Sequence, residues 1–308
     1  MDAHLEDHDL WLAHYLKTIE SRMMERRRAL ILLGSAGTVG LLAGCGGGGS
    51  SATGTGSSSS SSSTSSGSTS TSTGGSTSSS TSSSSGGSGG TCIADPGETN
   101  GPYPADGTNT SSGITSNALT QSGIVRSDIR SSFLGSSTAQ AAGVAVTLTL
   151  TVVNVNNSCA PLAGYAVYIW HCDRDGKYSL YDLPGESYLR GVQVTDSNGQ
   201  ISFTTIFPGC YSGRYPHIHF EVFSSLANAT SGRYATLISQ LAMPAAACNT
   251  VYASTGYSTS ATNFARVSIS SDNVFGDNTS AQVTAMTPTM TGSVAAGYTG
   301  TATIGLAL

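Results

Sequence analysis

His217-Ile218-His219 sets two imidazoles two residues apart. On a strand, positions i and i+2 face the same side, so both rings leave one face while Ile218 and Phe220 leave the other. Two imidazoles on one face are a ready pair of metal ligands, but an isolated pair is better read as polar residues on a solvated sheet face. The surroundings tip the balance. Phe207-Pro-Gly-Cys-Tyr211-Ser-Gly-Arg214-Tyr215-Pro216 runs directly into His217, and an earlier turn, Asp173-Arg-Asp-Gly-Lys-Tyr178-Ser, follows Trp170-His171-Cys172. A tyrosine phenolate is a hard, anionic oxygen donor suited to Fe³⁺ and foreign to zinc, whose usual ligands are Cys, His and carboxylate. Two phenolates and one hydroxide, beside two neutral imidazoles, balance the charge of a ferric ion, so no net charge is buried in a dry pocket. A lone Tyr is better read as packing, and Tyr215 is expected to pack or to rim the site.

These residues need a rigid frame. Residues 144–153 alternate branched and polar side chains, a strand pattern. Further strand candidates are 164–172, 200–206, 217–223, 234–241, 265–269, 281–286 and 298–306, divided by the turn signals Asp175-Gly176, Asp196-Ser-Asn-Gly199 and Pro208-Gly209. With no long stretch of helical period, many short strands and Gly/Asn/Ser turns predict an all-β fold: a single β-sandwich with long loops over residues 92–308.

What precedes that domain is of another kind. Arg26-Arg27-Arg28 heads an apolar and small-residue stretch reaching Ala43, the layout of an export signal over residues 1–45, with Arg27-Arg28-x-Leu30-Ile31 resembling a twin-arginine route. Leu42-Ala43-Gly44-Cys45 resembles a lipoprotein box, so Cys45 is the expected lipidation site and a lipid anchor the only expected membrane contact. The expected location is the cell envelope. Met23 or Met24 offers an alternative start. Residues 46–91 are Gly, Ser and Thr apart from Ala52; they cannot repay their ordering entropy and read as a disordered linker. The chain has 308 residues, a net charge of −5 and only 10% charged residues. No basic footprint for nucleic acid exists in it. Of six Cys, Cys45 is set aside for lipid; Cys92, Cys159, Cys172, Cys210 and Cys248 allow at most two bridges in an oxidising compartment, with pairing open. No CxxC pair is present, and Cys172 and Cys210 are expected to stiffen loops of the site without ligating.

Taken together, these segments resemble the intradiol ring-cleavage dioxygenases, the family of catechol and protocatechuate dioxygenases, and within it the exported branch. The likeness is densest over 159–221: Cys159-Ala-Pro-Leu-Ala-Gly, Ile-Trp170-His-Cys-Asp-x-x-Gly-x-Tyr178-Ser, Thr195-Asp-Ser-Asn-Gly, Phe203-Thr-Thr-Ile-x-Pro-Gly-x-Tyr211 and Arg214-x-x-His217-Ile-His219-Phe. Glu98-Thr-Asn-Gly-Pro-Tyr103, Arg126-Ser-Asp-Ile-Arg130 and Ile238-Ser-Gln240-Leu extend it. The resemblance implies Fe(3+) held by Tyr178, Tyr211, His217 and His219, with Tyr211 and His219 axial. It implies that Tyr211 also accepts a proton from substrate, that Arg214 stabilises carbanionic charge beside it, and that Gln240 supports the site from behind. The implied reaction takes a small aromatic diol and O2, cuts the ring between the hydroxyls and gives a muconate-type dicarboxylic acid. Assembly as a homodimer is likewise implied by the family alone.

One departure bears on substrate. Five residues separate Tyr211 from His217, a shorter loop than in the cytoplasmic enzymes, which implies a more open site. Only eight Lys and Arg follow Cys45, so an uncharged catechol is expected over a carboxylated one. Competing readings are a tethered β-sandwich that binds a ligand, such as carbohydrate, without catalysis; a metal-bearing relative with another activity or none; and an envelope spacer. Trp170 is the only Trp of the domain and falls in a strand candidate, which speaks against an aromatic carbohydrate platform.

Overall fold

In the computed structural model, which describes residues 92–308, two sheets carry the domain. The strands are β1 (Ala145–Asn154), β2 (Ala160–Pro161), β3 (Ala166–Trp170), β4 (Arg190–Val194), β5 (Gln200–Ile206), β6 (His217–Phe223), β7 (Leu237–Ala242), β8 (Thr289–Ser293) and β9 (Gly297–Leu306). One sheet runs β2-β1-β9-β8 with β5 also paired to β1; the other runs β4-β3-β6-β7. All pairings between these strands are antiparallel except β1 with β9. The all-β sandwich expected from the sequence is what forms.

The period-2 pattern decides which side chains meet. Leu148, Leu150 and Val152 of β1, Ile201 and Phe203 of β5, Val167 and Ile169 of β3, and Ile218, Phe220 and Val222 of β6 fill the space between the sheets. Each such side chain contributes roughly 1.5–3 kcal/mol by leaving water. The same alternation sends His217, His219 and Glu221 to the opposite face of β6. That face is not solvated: all seven β6 residues are buried, because Ala105, Ala118, Tyr178 and Leu180 form a second apolar cluster with Tyr168 and Trp170 of β3.

Two strand expectations are corrected. Residues 281–286 lie in a helix, α3 (Ser280–Ala285), which follows α1 (Ala245–Tyr252) and α2 (Ser258–Phe264). Thr279 caps α3 by accepting from Gln282 N–H while the Gln282 side chain accepts from Thr279 N–H, and this reciprocal box outweighs a brief alternation. Residues 265–269 leave α2 through turns into a 3₁₀ turn, Ile269–Ser271. Strands β4 and β8 and the short β2 were not anticipated; β4 lacks a clean alternation because Arg190 is buried in it. Of the five cysteines, Cys92 and Cys159 form a disulfide, and Cys172, Cys210 and Cys248 are buried thiols. The export signal, Cys45 and the linker lie outside the described residues. Among the described residues no helix is long and apolar enough to cross a membrane.

Candidate metal centre

Each of the four predicted donors is fixed by its own local structure. Tyr178 follows a turn in which Asp173 Oδ1 accepts from the N–H groups of Asp175 and Lys177, and its own N–H donates to Asp182 Oδ2 at 2.8 Å. Tyr211 follows Pro208-Gly209. Gly209 N–H donates to Asp173 O at 3.0 Å, and a Cβ there would stand 2.5 Å from that oxygen, so the close approach of the two donor loops requires glycine. Helix α2 secures the next residue: Cys210 N–H donates to Ser260 Oγ, and Asn263 Nδ2 donates to Cys210 O. His217 and His219 are held by the β6 ladder. His217 Nδ1 lies 2.5 Å from Tyr215 O, and the His219 ring stacks on Trp170 with centroids 4.7 Å apart and planes 4° apart.

The structure brings all four together. His217 Nε2 stands 3.1 Å from His219 Nε2, 3.2 Å from Tyr211 Oη and 3.4 Å from Tyr178 Oη. Tyr178, His217 and His219 are buried and Tyr211 is half-buried, with exposed Ser212 and Gly213 beside it at the rim. As hydrogen bonds these contacts are oversubscribed. With its proton on Nδ1 toward Tyr215 O, His217 presents one lone pair at Nε2 to three neighbours. His219 Nδ1 is buried without a partner. A cation among the four atoms would resolve the crowding, since metal bonds to nitrogen and oxygen donors are about 2.0–2.2 Å long. Among the described residues no group of three or more His, Cys, Asp or Glu is placed to hold a metal.

Electrostatics fit the same reading. Burial pushes the Tyr178 and Tyr211 phenols well above their ordinary range. Burial, with the Arg214 charge next, lowers His217 to about 3; burial and then His217 lower His219 far below the usual imidazole value. The imidazoles are therefore neutral and available as ligands, whereas the phenols need a cation to ionise, since a bound ion inverts local pKa behaviour. Burial, and then the neighbouring Asp106, push the Glu221 carboxyl well above its ordinary range.

Arg214 and Gln240 also reach this region. Arg214 Nη2 donates to Gln240 Oε1 at 2.7 Å, and Gln240, opposite His219 in the β6–β7 register, donates from Nε2 to Thr99 O. Tyr215 packs on Phe264 and Phe275, as expected of it. Sequence reasoning gave no role to Tyr103, whose ring lies 4.7 Å from that of Tyr178, or to Gly101, where a Cβ would stand 3.1 Å from His219 Cε1. Their segment was visible as Glu98-Thr-Asn-Gly-Pro-Tyr103, but not that it covers the site. The third histidine of the domain, His171, is structural: its ring nitrogens face Cys172 O and Thr205 Oγ1. The Cys172 and Cys210 thiols point at Gly209 O and Arg214 O, inside the donor loops and unbridged.

Two imidazoles and two phenols converge on the outer face of one sheet of a β-sandwich. Residues 125–245 match the family described as Dioxygenase. The chlorocatechol 1,2-dioxygenase of Rhodococcus opacus is 30% identical over 107 residues, 28% of this chain and 39% of that protein. The structure of an intradiol ring-cleavage dioxygenase from Tetranychus urticae is similar at a TM-score of 0.53 and 24% identity, over 70% of this chain and 95% of that one, a likeness of fold. Over this domain the chain is similar to these ring-cleaving dioxygenases. The match spans about two fifths of the length of the Rhodococcus relative.

Proposed function

We propose that this protein is a non-haem Fe(III) intradiol dioxygenase that cleaves a catechol-type ring between its two hydroxyls with O2, both oxygen atoms entering a muconate-type dicarboxylic acid. The observation that carries the reading is the set of contacts at 3.1–3.4 Å around His217 Nε2. Tyr178, Tyr211, His217 and His219 would hold the ion, which supplies charge to bind a diol as its anion and to draw electron density from the ring toward O2.

The protein does the rest through its own groups. Tyr211 is the least enclosed of the donors and stands at the rim, so its Oη is the base positioned to take a proton from an entering diol. Tyr178, buried against Tyr103, stays in place. The Arg214 guanidinium, held by Gln240, faces charge that develops on the ring. Trp170 stacks on the His219 ring and sets its plane, and the segment carrying Gly101 packs against that ring. The export signal and lipobox support an envelope protein anchored through Cys45, and the Cys92–Cys159 disulfide agrees with an oxidising compartment. Oxygen uptake by the iron-loaded protein over a panel of catechols, with product identification, tests the reading: one O2 per diol and a ring-opened dicarboxylic acid are expected. Iron-loaded protein that consumes no O2 with any catechol contradicts it.

A further inference from the structure

Arg214 is the cation of this site, and its partner comes from a stretch that no motif marks. Asp272, just after the 3₁₀ turn Ile269–Ser271, has a fully buried side chain. Its Oδ2 accepts from Arg214 Nε at 2.9 Å and from Tyr215 N–H at 2.6 Å. Its Oδ1 accepts from Arg214 Nη2 at 3.4 Å and from the N–H groups of Val274 and Phe275 at 2.8 and 3.1 Å. Five donors thus hold one carboxylate, and that carboxylate holds the Arg214 fork from behind. The guanidinium in turn acts electrostatically on Tyr178, Tyr211, His217 and His219. Arg190 is buried and bound to Pro104 O, Tyr103 O and Ser179.

We propose that Asp272 is a positioning and specificity-determining residue: it fixes the Arg214 guanidinium beside the metal ligands and cancels its charge, so that the pocket accepts uncharged catechols and rejects diols bearing a ring carboxylate. The inference rests on the reading of the site as a diol-binding centre. A ring carboxylate stripped of water needs a net positive partner. An Arg214–Asp272 pair in contact at 2.9 Å offers a dipole with no net charge. Asp272→Asn keeps a side chain of the same shape, removes the countercharge and leaves Arg214 free to attract an anion. A unit charge about 6 Å away, at an effective dielectric near 20, shifts binding by roughly tenfold or more.

The test uses the full-length, iron-loaded protein and two measurements. Calorimetric binding compares phenol with 4-hydroxybenzoate, neither of which is a diol; oxygen uptake compares catechol with 3,4-dihydroxybenzoate. Wild type is expected to favour the uncharged partner of each pair by tenfold or more. Asp272→Asn is expected to move both ratios at least tenfold toward the carboxylate, and Asp272→Glu to restore the wild-type order. Wild type that binds phenol and 4-hydroxybenzoate equally overturns the proposal without recourse to any variant. So does an iron-replete, folded Asp272→Asn whose ratios stay within twofold of wild type. If no diol is turned over, the catalytic reading fails while the phenol comparison still decides the role of Asp272.

Discussion

One lone pair with three claimants is the residue-scale signature of this protein. His217 Nε2 cannot accept from Tyr178, Tyr211 and His219 at once. Groups buried in such an arrangement are costly unless a cation satisfies them. His219→Ala removes one of the four donors and opens a gap against Trp170. It is expected to drop bound iron, measured by elemental analysis, below a tenth of the wild-type content; full occupancy would move the ion elsewhere. The four side chains that meet here were legible in sequence because each has a distinctive type in a short motif. Asp272 was not, because its role depends on a loop returning from a distance of 58 residues to meet Arg214.

At the scale of elements, the site is a sheet face with a cover. The alternation of β6 alone dictated that His217 and His219 share a side, but only the cover makes that side dry. Glu98 N–H donates to Ile238 O on β7, and the chain then crosses His219 at Gly101, where φ is +69°. Gly101→Ala places a methyl 3.1 Å from His219 Cε1 in a left-handed conformation, at a cost of about 1–2 kcal/mol. A lower melting temperature and weaker iron retention under chelator challenge are expected; unchanged retention would show that the cover is not in contact with the ligand. The helices were illegible for a related reason. They have six to eight residues, too few turns for a clear period, and the Thr279–Gln282 cap that starts α3 is stronger than any pattern inside it.

Nearer the start of the domain, Asp95 binds the same cover to the other sheet: its N–H donates to Gly305 O, and its Oδ2 accepts from Gly305 N–H at 2.7 Å. Burial raises its carboxyl to about 7, against 3.8 when exposed. The folded state therefore keeps a proton that the unfolded chain releases. This contribution is fully present below pH 3.8 and is lost as pH rises toward 7. Asp95→Asn is expected to flatten the fall in melting temperature between pH 4 and pH 7 relative to wild type; parallel curves would contradict the assignment.

On the scale of the whole molecule, two sheets, a covering segment and one disulfide must hold four donors in register. Cys92–Cys159 closes a span of 67 residues that includes the cover and β1. Removing a bridge of this length costs about 2–5 kcal/mol. Denaturant unfolding of Cys92→Ser should show that loss with the iron site still competent at low temperature, and an unchanged midpoint would mean the bridge does not constrain the unfolded chain. The composition, low in charge and rich in Ser and Gly, pointed to a tethered domain and away from nucleic acid, yet it is silent on how the cover folds back.

The visible spectrum of the iron-loaded protein bears most directly on the four-donor centre. Tyrosinate bound to Fe³⁺ absorbs visible light, so wild type with one iron per chain is expected to be red-brown, and Tyr178→Phe, still carrying iron, to lose much of that band. An iron-loaded protein that is colourless, or a Tyr178→Phe variant with the wild-type band undiminished, would contradict the assignment.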